Sequence, residues 1–151
     1  MKVFVLFLAA ATALVAGCAS PDGHNRSVMQ LAPVIIQVHS ADDVADVLVP
    51  TRVDTTWRKP YARSVEKLRE GDFDAAIAGL KPLAEARPEE WVLLYTLAVA
   101  TEAKREDDMA AEGYYEKALT LEGVDSFCCR AGIARIKARE VGKAMARRES
   151  N

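Results

Sequence analysis

Hydrophobic and polar positions divide the chain into stretches with different patterns. Positions 3–16 carry only apolar side chains apart from Thr12. Residues 19–33 are rich in Ser, Pro, Asp, Gly, His, Asn and Arg, a composition typical of a flexible spacer. From Trp57 onward, apolar residues recur at helical spacing. The chain is therefore predicted to begin with a targeting segment and a tether, and then to fold mainly as α-helices.

The segment between the spacer and the helical region has two apolar parts. The first, VIIQV at 34–38, is short and β-branched like a strand, but no second strand is evident to pair with it. In the following SADDVADVL, Ser40 suits an N-cap, acids occupy the first turn, and Pro50 ends the pattern. The residues that would share one helical face are Val44, Val47 and Leu48. We predict an extended piece followed by a short helix.

The apolar run at the amino terminus ends at Cys18, directly after small residues. Lys2 is the only charge before Asp22, and the run is shorter than the roughly 20 apolar residues that a membrane-spanning helix needs. A short positive start, a short apolar stretch and a small-residue exit are the pattern of a secretory signal. The sequence VAGC at 15–18 resembles the lipobox of bacterial lipoproteins.

That resemblance implies cleavage before Cys18, a diacylglycerol on its thiol and a further acyl chain, such as palmitate, on the new amino terminus. Two or more acyl chains anchor a protein far better than one. Ala19 follows the cysteine where Asp would signal inner-membrane retention, so the resemblance implies an outer-membrane anchor facing the periplasm. The alternatives are a plain signal peptide with a chance cysteine, or an uncleaved anchor.

The helical region repeats itself. Trp57 and Trp91 are 34 residues apart, as are Tyr61 and Tyr95. Such a period is the mark of stacked repeats. Within each repeat, small and large residues recur at matching places: Gly71, Phe73, Ala76, Leu80 and Pro88 in the first, and Ala111, Tyr115, Ala118 and Leu119, one residue late, in the second. These residues resemble the tetratricopeptide repeat, a 34-residue pair of antiparallel helices.

The resemblance implies an all-α fold, a short helical-hairpin array with a capping C-terminal helix at about 126–141. The apolar sequence WVLLYTLAVA, 91–100, fits a central helix buried on more than one side. We divide the chain into five parts: a signal peptide at 1–17, a tether at 18–33, an apolar segment with a short helix at 34–56, the repeat domain at 57–141 and a basic tail at 142–151.

The family's register implies a concave groove lined by the first helix of each repeat. Its residues would be Arg58, Tyr61, Val65, Leu68, Val92, Tyr95, Val99 and Glu102. Val65, Leu68 and Val99 fit equally well as core, which leaves Arg58, Tyr61, Tyr95 and Glu102 as candidate partner-binding residues. Segment 34–49 is expected to pack on the array near the first repeat. Tyr95 and Glu102 are then expected to be more exposed than Tyr61.

Charge and candidate chemistry narrow the function. Residues 66–125 carry 15 acidic and 7 basic side chains, whereas 130–148 carry 7 basic side chains and one acid, Glu140. The basic end is either a solvated helix or a patch for an anionic partner. Cys128 and Cys129 are expected to be buried, reduced thiols without a catalytic role, since no histidine is near to activate them.

These observations point away from catalysis. The predicted repeat domain at 57–141 has no histidine and no phosphate-binding or nucleophile motif. We therefore expect no enzyme activity, no cofactor, no metal, no small-molecule substrate and no nucleic acid. The predicted function is a membrane-anchored periplasmic interaction module that binds a protein or peptide. The alternative is a structural envelope lipoprotein that contacts the cell wall through its basic tail.

Overall fold

A computed structural model describes residues 29–30, 34–39, 44–50, 52–53 and 57–150, so the lipidation motif at Cys18 lies outside the described residues. Within this part, the helices are α1 (Arg58–Arg69), α2 (Phe73–Ala86), α3 (Trp91–Lys104), α4 (Asp108–Leu119) and α5 (Ser126–Glu149). They are preceded by the short strands β1 (Met29–Gln30), β2 (Val34–His39), β3 (Val44–Val49) and β4 (Arg52–Val53). The protein is mostly helical with a small amount of sheet, so the expected all-α class holds only approximately.

Strands β2 and β3 form an antiparallel hairpin with one apolar face. Its cross-strand pairs include Val34 with Val49 and Ile36 with Val47. These four side chains are buried, whereas Ile35, which points to the opposite face, is 62% exposed. Because side chains alternate along a strand, a period of two places every second residue against the helices. The outer strands β1 and β4 also pair antiparallel.

The predicted short helix after position 40 is wrong. Val44–Val49 is a strand. It pairs with the β-branched segment 34–39, for which the sequence showed no partner strand. Three of its six residues are valine, whose branched side chain is restricted in a helix and packs well on a sheet. Pairing with β2 decides the conformation, because it satisfies the backbone of both segments at once. The proposed N-cap, Ser40, lies outside the described residues.

The helices follow one another through short turns, and each packs against the next in the chain. The α1–α2 turn places Gly71 at φ 78°, a left-handed conformation that glycine adopts without strain. There the Gly71 amide donates to Leu68 O at 3.0 Å and the Asp72 amide donates to Lys67 O at 2.9 Å. This is a Schellman ending, which stops α1 and reverses the chain. Short turns between packed helices make neighbours antiparallel.

The second helix of each pair begins in the same way. The Asp72 carboxylate accepts a hydrogen bond from Ala75 N at 3.2 Å, and Asp107 accepts one from Ala110 N at 2.8 Å. Side-chain acceptors at this position satisfy backbone donors that the helix itself leaves unpaired. Helix α2 continues through Pro82, whose surroundings are exposed. Water can there reach the carbonyl that the proline leaves without a helical partner.

Helix α3 lies at the centre of the protein. All residues from Val92 to Glu102 are buried, and α3 contacts α2, α4, α5 and both strands of the hairpin. Helix α5 packs on α4 and α3. It differs from the prediction in length, because it continues to Glu149 where a separate basic tail was expected from position 142.

Candidate functional site

The two tyrosines of the predicted groove face the hairpin. The Tyr61 hydroxyl donates to Pro50 O at 2.5 Å, and the Tyr95 hydroxyl donates to Leu48 O at 3.2 Å. Tyr61 also shares a hydrogen bond of 2.9 Å with the Thr96 hydroxyl. Since α1 and α3 both contact β2, the hairpin covers the side of the array that carries these tyrosines.

Each tyrosine stands beside the tryptophan that precedes it by one helical turn. The rings of Trp57 and Tyr61 are 5.2 Å apart, and those of Trp91 and Tyr95 are 6.2 Å apart, both edge to face. Such pairs add stabilisation beyond the area that they bury. Burial raises the pKa of Tyr61, although the hydrogen bond with Thr96 offsets part of that shift. Its hydroxyl therefore stays protonated and continues to donate to the hairpin.

The expected exposure of two candidate residues is wrong. Tyr95 is 2% exposed and Glu102 is fully buried, as is Tyr61. Tyr95 is closed off by the hairpin whose carbonyl it binds, and Glu102 by residues of α4 and α5. Arg58, in the first turn of α1, is half-buried. The core interpretation applies to the apolar members of the predicted groove, Val65, Leu68, Val92 and Val99.

Glu102 is the centre of a buried ionic cluster. Arg135 donates to both of its carboxylate oxygens, from Nε at 3.0 Å and from Nη2 at 2.8 Å. Arg139 Nη1 donates to Oε1 at 3.0 Å, and the Tyr115 hydroxyl donates to Oε2 at 2.8 Å. Two arginines balance one buried carboxylate here, which is the pairing that makes a buried charge tolerable. The cluster joins α3, α4 and α5.

The surplus positive charge is balanced by Asp108 in the first turn of α4. Arg139 Nη2 donates to Asp108 Oδ1 at 2.6 Å, and Lys143 Nζ donates to Oδ2 at 3.0 Å. Burial opposes ionisation of Asp108, but the hydrogen bonds from Arg139 and Lys143 outweigh it and lower its pKa. We call the group Glu102, Asp108, Tyr115, Arg135, Arg139 and Lys143 the ionic cluster.

Sequence reasoning missed five of the six residues of the ionic cluster and placed Glu102 at the surface. Two signals were present. Glu102 is a lone acid at the end of a long apolar helix, where an isolated charge needs a partner. Arg135, Arg139 and Lys143 recur every four residues and therefore share one face of α5. Neither signal reveals which helix supplies the counter-charge.

The adjacent cysteines have different surroundings. Cys129 is buried, whereas Cys128 is half-buried. Burial, with smaller contributions from Cys128 and Asp125, raises the pKa of the Cys129 thiol to about 12. A thiol with so high a pKa carries almost no thiolate at neutral pH, which makes it a poor nucleophile.

An open cleft of about 340 Å³ lies between the α3–α4 turn and the second half of α5. It is lined by Arg105, Glu106, Asp108, Glu140, Lys143, Ala144 and Arg147. Its three acids and three bases leave no net charge to select an ion. Over the residues that the structure describes, no group of His, Cys, Asp and Glu could hold a metal ion. In the same part of the chain, no helix is long and apolar enough to cross a membrane.

No family model, curated protein or solved structure matches this chain. The described residues form a mostly helical protein with a β-hairpin packed against one side of its helices.

Proposed function

We propose that this chain is a lipid-anchored interaction module of the bacterial envelope, which binds a protein partner from the periplasmic side of the outer membrane. The anchor in this proposal is Cys18, supported by the lipobox-like sequence at 15–18. The binding part is the helical array, which we take to be tetratricopeptide-like. Stacked helical repeats present extended surfaces that suit proteins and peptides as partners.

One observation carries the array part of the proposal, namely that the two helix pairs repeat the same local construction. Each first helix sets a tryptophan edge to face with a tyrosine four residues later. Each second helix opens with an aspartate cap, at positions 72 and 107. Repeated caps and repeated aromatic pairs at a spacing of 34–35 residues support an internal duplication of one helical hairpin.

The chemistry of the described residues supports binding over catalysis. The buried carboxylate Glu102 accepts hydrogen bonds from both arginines and from Tyr115, so its oxygens serve the packing of three helices. The hydroxyls of Tyr61 and Tyr95 donate hydrogen bonds to the backbone carbonyls of Pro50 and Leu48. These groups are held for structure, whereas a general acid or base would need access to a substrate.

The alternative function, a structural protein that contacts the cell wall, is favoured by the exposed basic end of α5 at Arg147 and Arg148. A single experiment separates the two. Cells producing the tagged chain are fed an alkyne fatty acid, crosslinked, and the envelope complexes are purified. Our proposal predicts labelled chain and one defined protein crosslinked to it. A Cys18→Ala chain that still takes up label would contradict the anchor, and recovery of peptidoglycan alone would favour the structural alternative.

A further inference from the structure

Helix α5 presents an apolar face that points away from the rest of the protein. Its inner face holds Cys129, Gly132 and Ile136, all buried against the array. On the opposite side, Phe127 is 79%, Val141 54% and Met145 60% exposed. Large apolar side chains that are this exposed and lie on one stripe indicate an interaction surface.

The apolar residues of this face follow a heptad, and all of them are exposed except Ala131, which is half-buried. They are spaced by four and three residues in turn, and the full set is Phe127, Ala131, Ala134, Ala138, Val141 and Met145. We call this set the α5 seam. A spacing of 3.5 residues is the period that keeps one stripe of a helix in contact with a second helix along its whole length. The seam extends over most of the 24 residues of α5.

Charge is distributed unevenly beside the α5 seam. Arg130 and Lys137 lie along one edge, and both are exposed, while the exposed Arg148 continues the spacing of the seam itself. Lys137 has one counter-charge, Glu112 at 3.3 Å. The other edge carries Gly142 and Glu149, together with Arg135, whose guanidinium is held by Glu102. The seam therefore has one basic edge and one edge on which a paired arginine and an acid leave no net charge.

We propose that the α5 seam docks an acidic amphipathic helix of the partner protein. This inference rests on the proposed function and names its surface. An apolar stripe on the partner covers Phe127, Val141 and Met145, and carboxylates beside that stripe pair with Arg130 and Lys137. This is the helix-in-groove mode of recognition, with electrostatic complementarity fixing the orientation.

A second copy of the chain fits the α5 seam poorly. In an antiparallel pair the residues beside the stripe face their own equivalents, so Arg130 and Lys137 would meet like charges. In a parallel pair Arg130 would face Arg135. A lipid surface also fits less well, since half of the seam is alanine, which adds little apolar area, whereas surface-bound helices rely on bulky residues.

The test uses the full chain purified in mild detergent and two synthetic helical peptides. Both peptides have the same leucine–alanine heptads, one flanked by glutamate and the other by lysine. Val141→Glu combined with Met145→Glu removes two large apolar side chains from the seam. Arg130→Glu combined with Lys137→Glu reverses the charge of the basic edge. Met109→Glu is the matched control, because Met109 is a large apolar residue, 80% exposed, on α4. All are exposed positions, and circular dichroism checks that each variant stays folded.

We expect the acidic peptide to bind and the basic peptide not to bind. Each double variant should weaken binding by about tenfold or more, and Met109→Glu should leave it unchanged. The inference would be overturned if both peptides bound equally well, or if none of the variants changed the affinity for the acidic peptide. So would a dimer of the chain that Val141→Glu/Met145→Glu dissociates, or co-sedimentation with phosphatidylglycerol vesicles that depends on these two residues.

The same variants separate this inference from the proposed function. Suppose that crosslinking in the envelope captures a defined protein and that Val141→Glu/Met145→Glu does not affect the capture. The proposed function then stands and the α5 seam is wrong as its surface. Capture that is lost in this variant and kept in Met109→Glu supports both.

Discussion

Leu68 and Glu102 lie 34 residues apart, at the same position of the two repeats, and both are buried. Around Leu68 the protein is held together by apolar packing, and the neighbouring Tyr61 reaches the hairpin side with its hydroxyl. Around Glu102 it is held by two arginines, a tyrosine and a second carboxylate. Apolar contact is non-directional, whereas a bidentate arginine fixes distance and angle.

A helix that recurs in the sequence can therefore take two different neighbours. A strand pair covers the tyrosine side of α1 and α3 through alternating Val and Ile side chains, for which shape is enough. Helix α5 instead needs a defined register along α3 and α4, and the ionic cluster supplies it. The buried charges are better understood as a device for specificity than as a source of net stability.

The largest expected effect comes from removing the buried carboxylate. Glu102→Gln leaves Arg135 and Arg139 without their main counter-charge, so we expect the free energy of unfolding to fall by about 3–5 kcal/mol. Urea denaturation measures it. The control is Leu68→Met, a volume-conserving change at the equivalent position, which should cost less than about 1.5 kcal/mol.

A triple variant, Glu102→Leu with Arg135→Leu and Arg139→Leu, sharpens the same comparison. Because replacing a whole buried ion group with apolar residues is often neutral or stabilising, this variant should recover most of the loss. If Glu102→Gln costs no more than Leu68→Met, the ionic cluster does not hold the helices as described.

The next effect concerns the two faces of the hairpin. Ile36 is 4% exposed and Ile35 is 62% exposed, although they are adjacent in the sequence. Ile36→Ala should lower the free energy of unfolding by about 2–4 kcal/mol, because it empties a site against the helices. Ile35→Ala should change it by less than about 0.5 kcal/mol. Equal effects in thermal or urea unfolding would show that the hairpin has no preferred face.

This contrast also shows what the sequence could predict. The 34-residue period revealed the helix pairs, because Trp57, Tyr61, Trp91 and Tyr95 report the repeat directly. The strand at Val44–Val49 could not be recognised, because its short pattern also fits one turn of a helical face and its partner strand decides the matter. The local periodicity of a segment does not show which distant strand it pairs with.

The candidate site was harder to predict than the fold. Tyr61 and Tyr95 were recognised as a matched pair, but their partner is the chain's own hairpin side, through Leu48 O and Pro50 O. Glu102 was predicted to be exposed because the repeat register places it in the groove, beyond the part that segment 34–49 was expected to cover. Its burial depends on Arg135 and Arg139, more than 30 residues away, and no local rule connects them.

A smaller effect is expected where α4 and α5 approach each other. Gly132 faces the Tyr115 ring so closely that a Cβ at this position would overlap it. Gly132→Ala should therefore cost about 1–3 kcal/mol through overpacking. Gly113→Ala, in α4 with open space around it, should instead add about 0.5–1 kcal/mol through helix propensity. Equal changes in urea unfolding would contradict the close packing of α5.

The smallest expected effect is on how the free energy of unfolding changes with pH in the acid range. The hydrogen bonds from Arg139 and Lys143 prevail over burial and hold the pKa of Asp108 below its ordinary value of 3.8. Its contribution to stability is then present above that ordinary value and is lost as pH falls through the lower, folded pKa. Asp108→Asn should flatten the acid limb of a stability–pH curve below about pH 4.

The hairpin is an integral part of the folded protein, because its buried face packs on α1 and α3. Amide hydrogen exchange at β2 and β3, followed by NMR in the same sample as α3, tests it most directly. If the hairpin is packed as described, its ladder amides exchange slowly, near the rate of the buried helix, because opening them requires uncovering Tyr61 and Tyr95. Hairpin amides that exchange at the rate of an unstructured peptide, while α3 stays protected, would contradict the account.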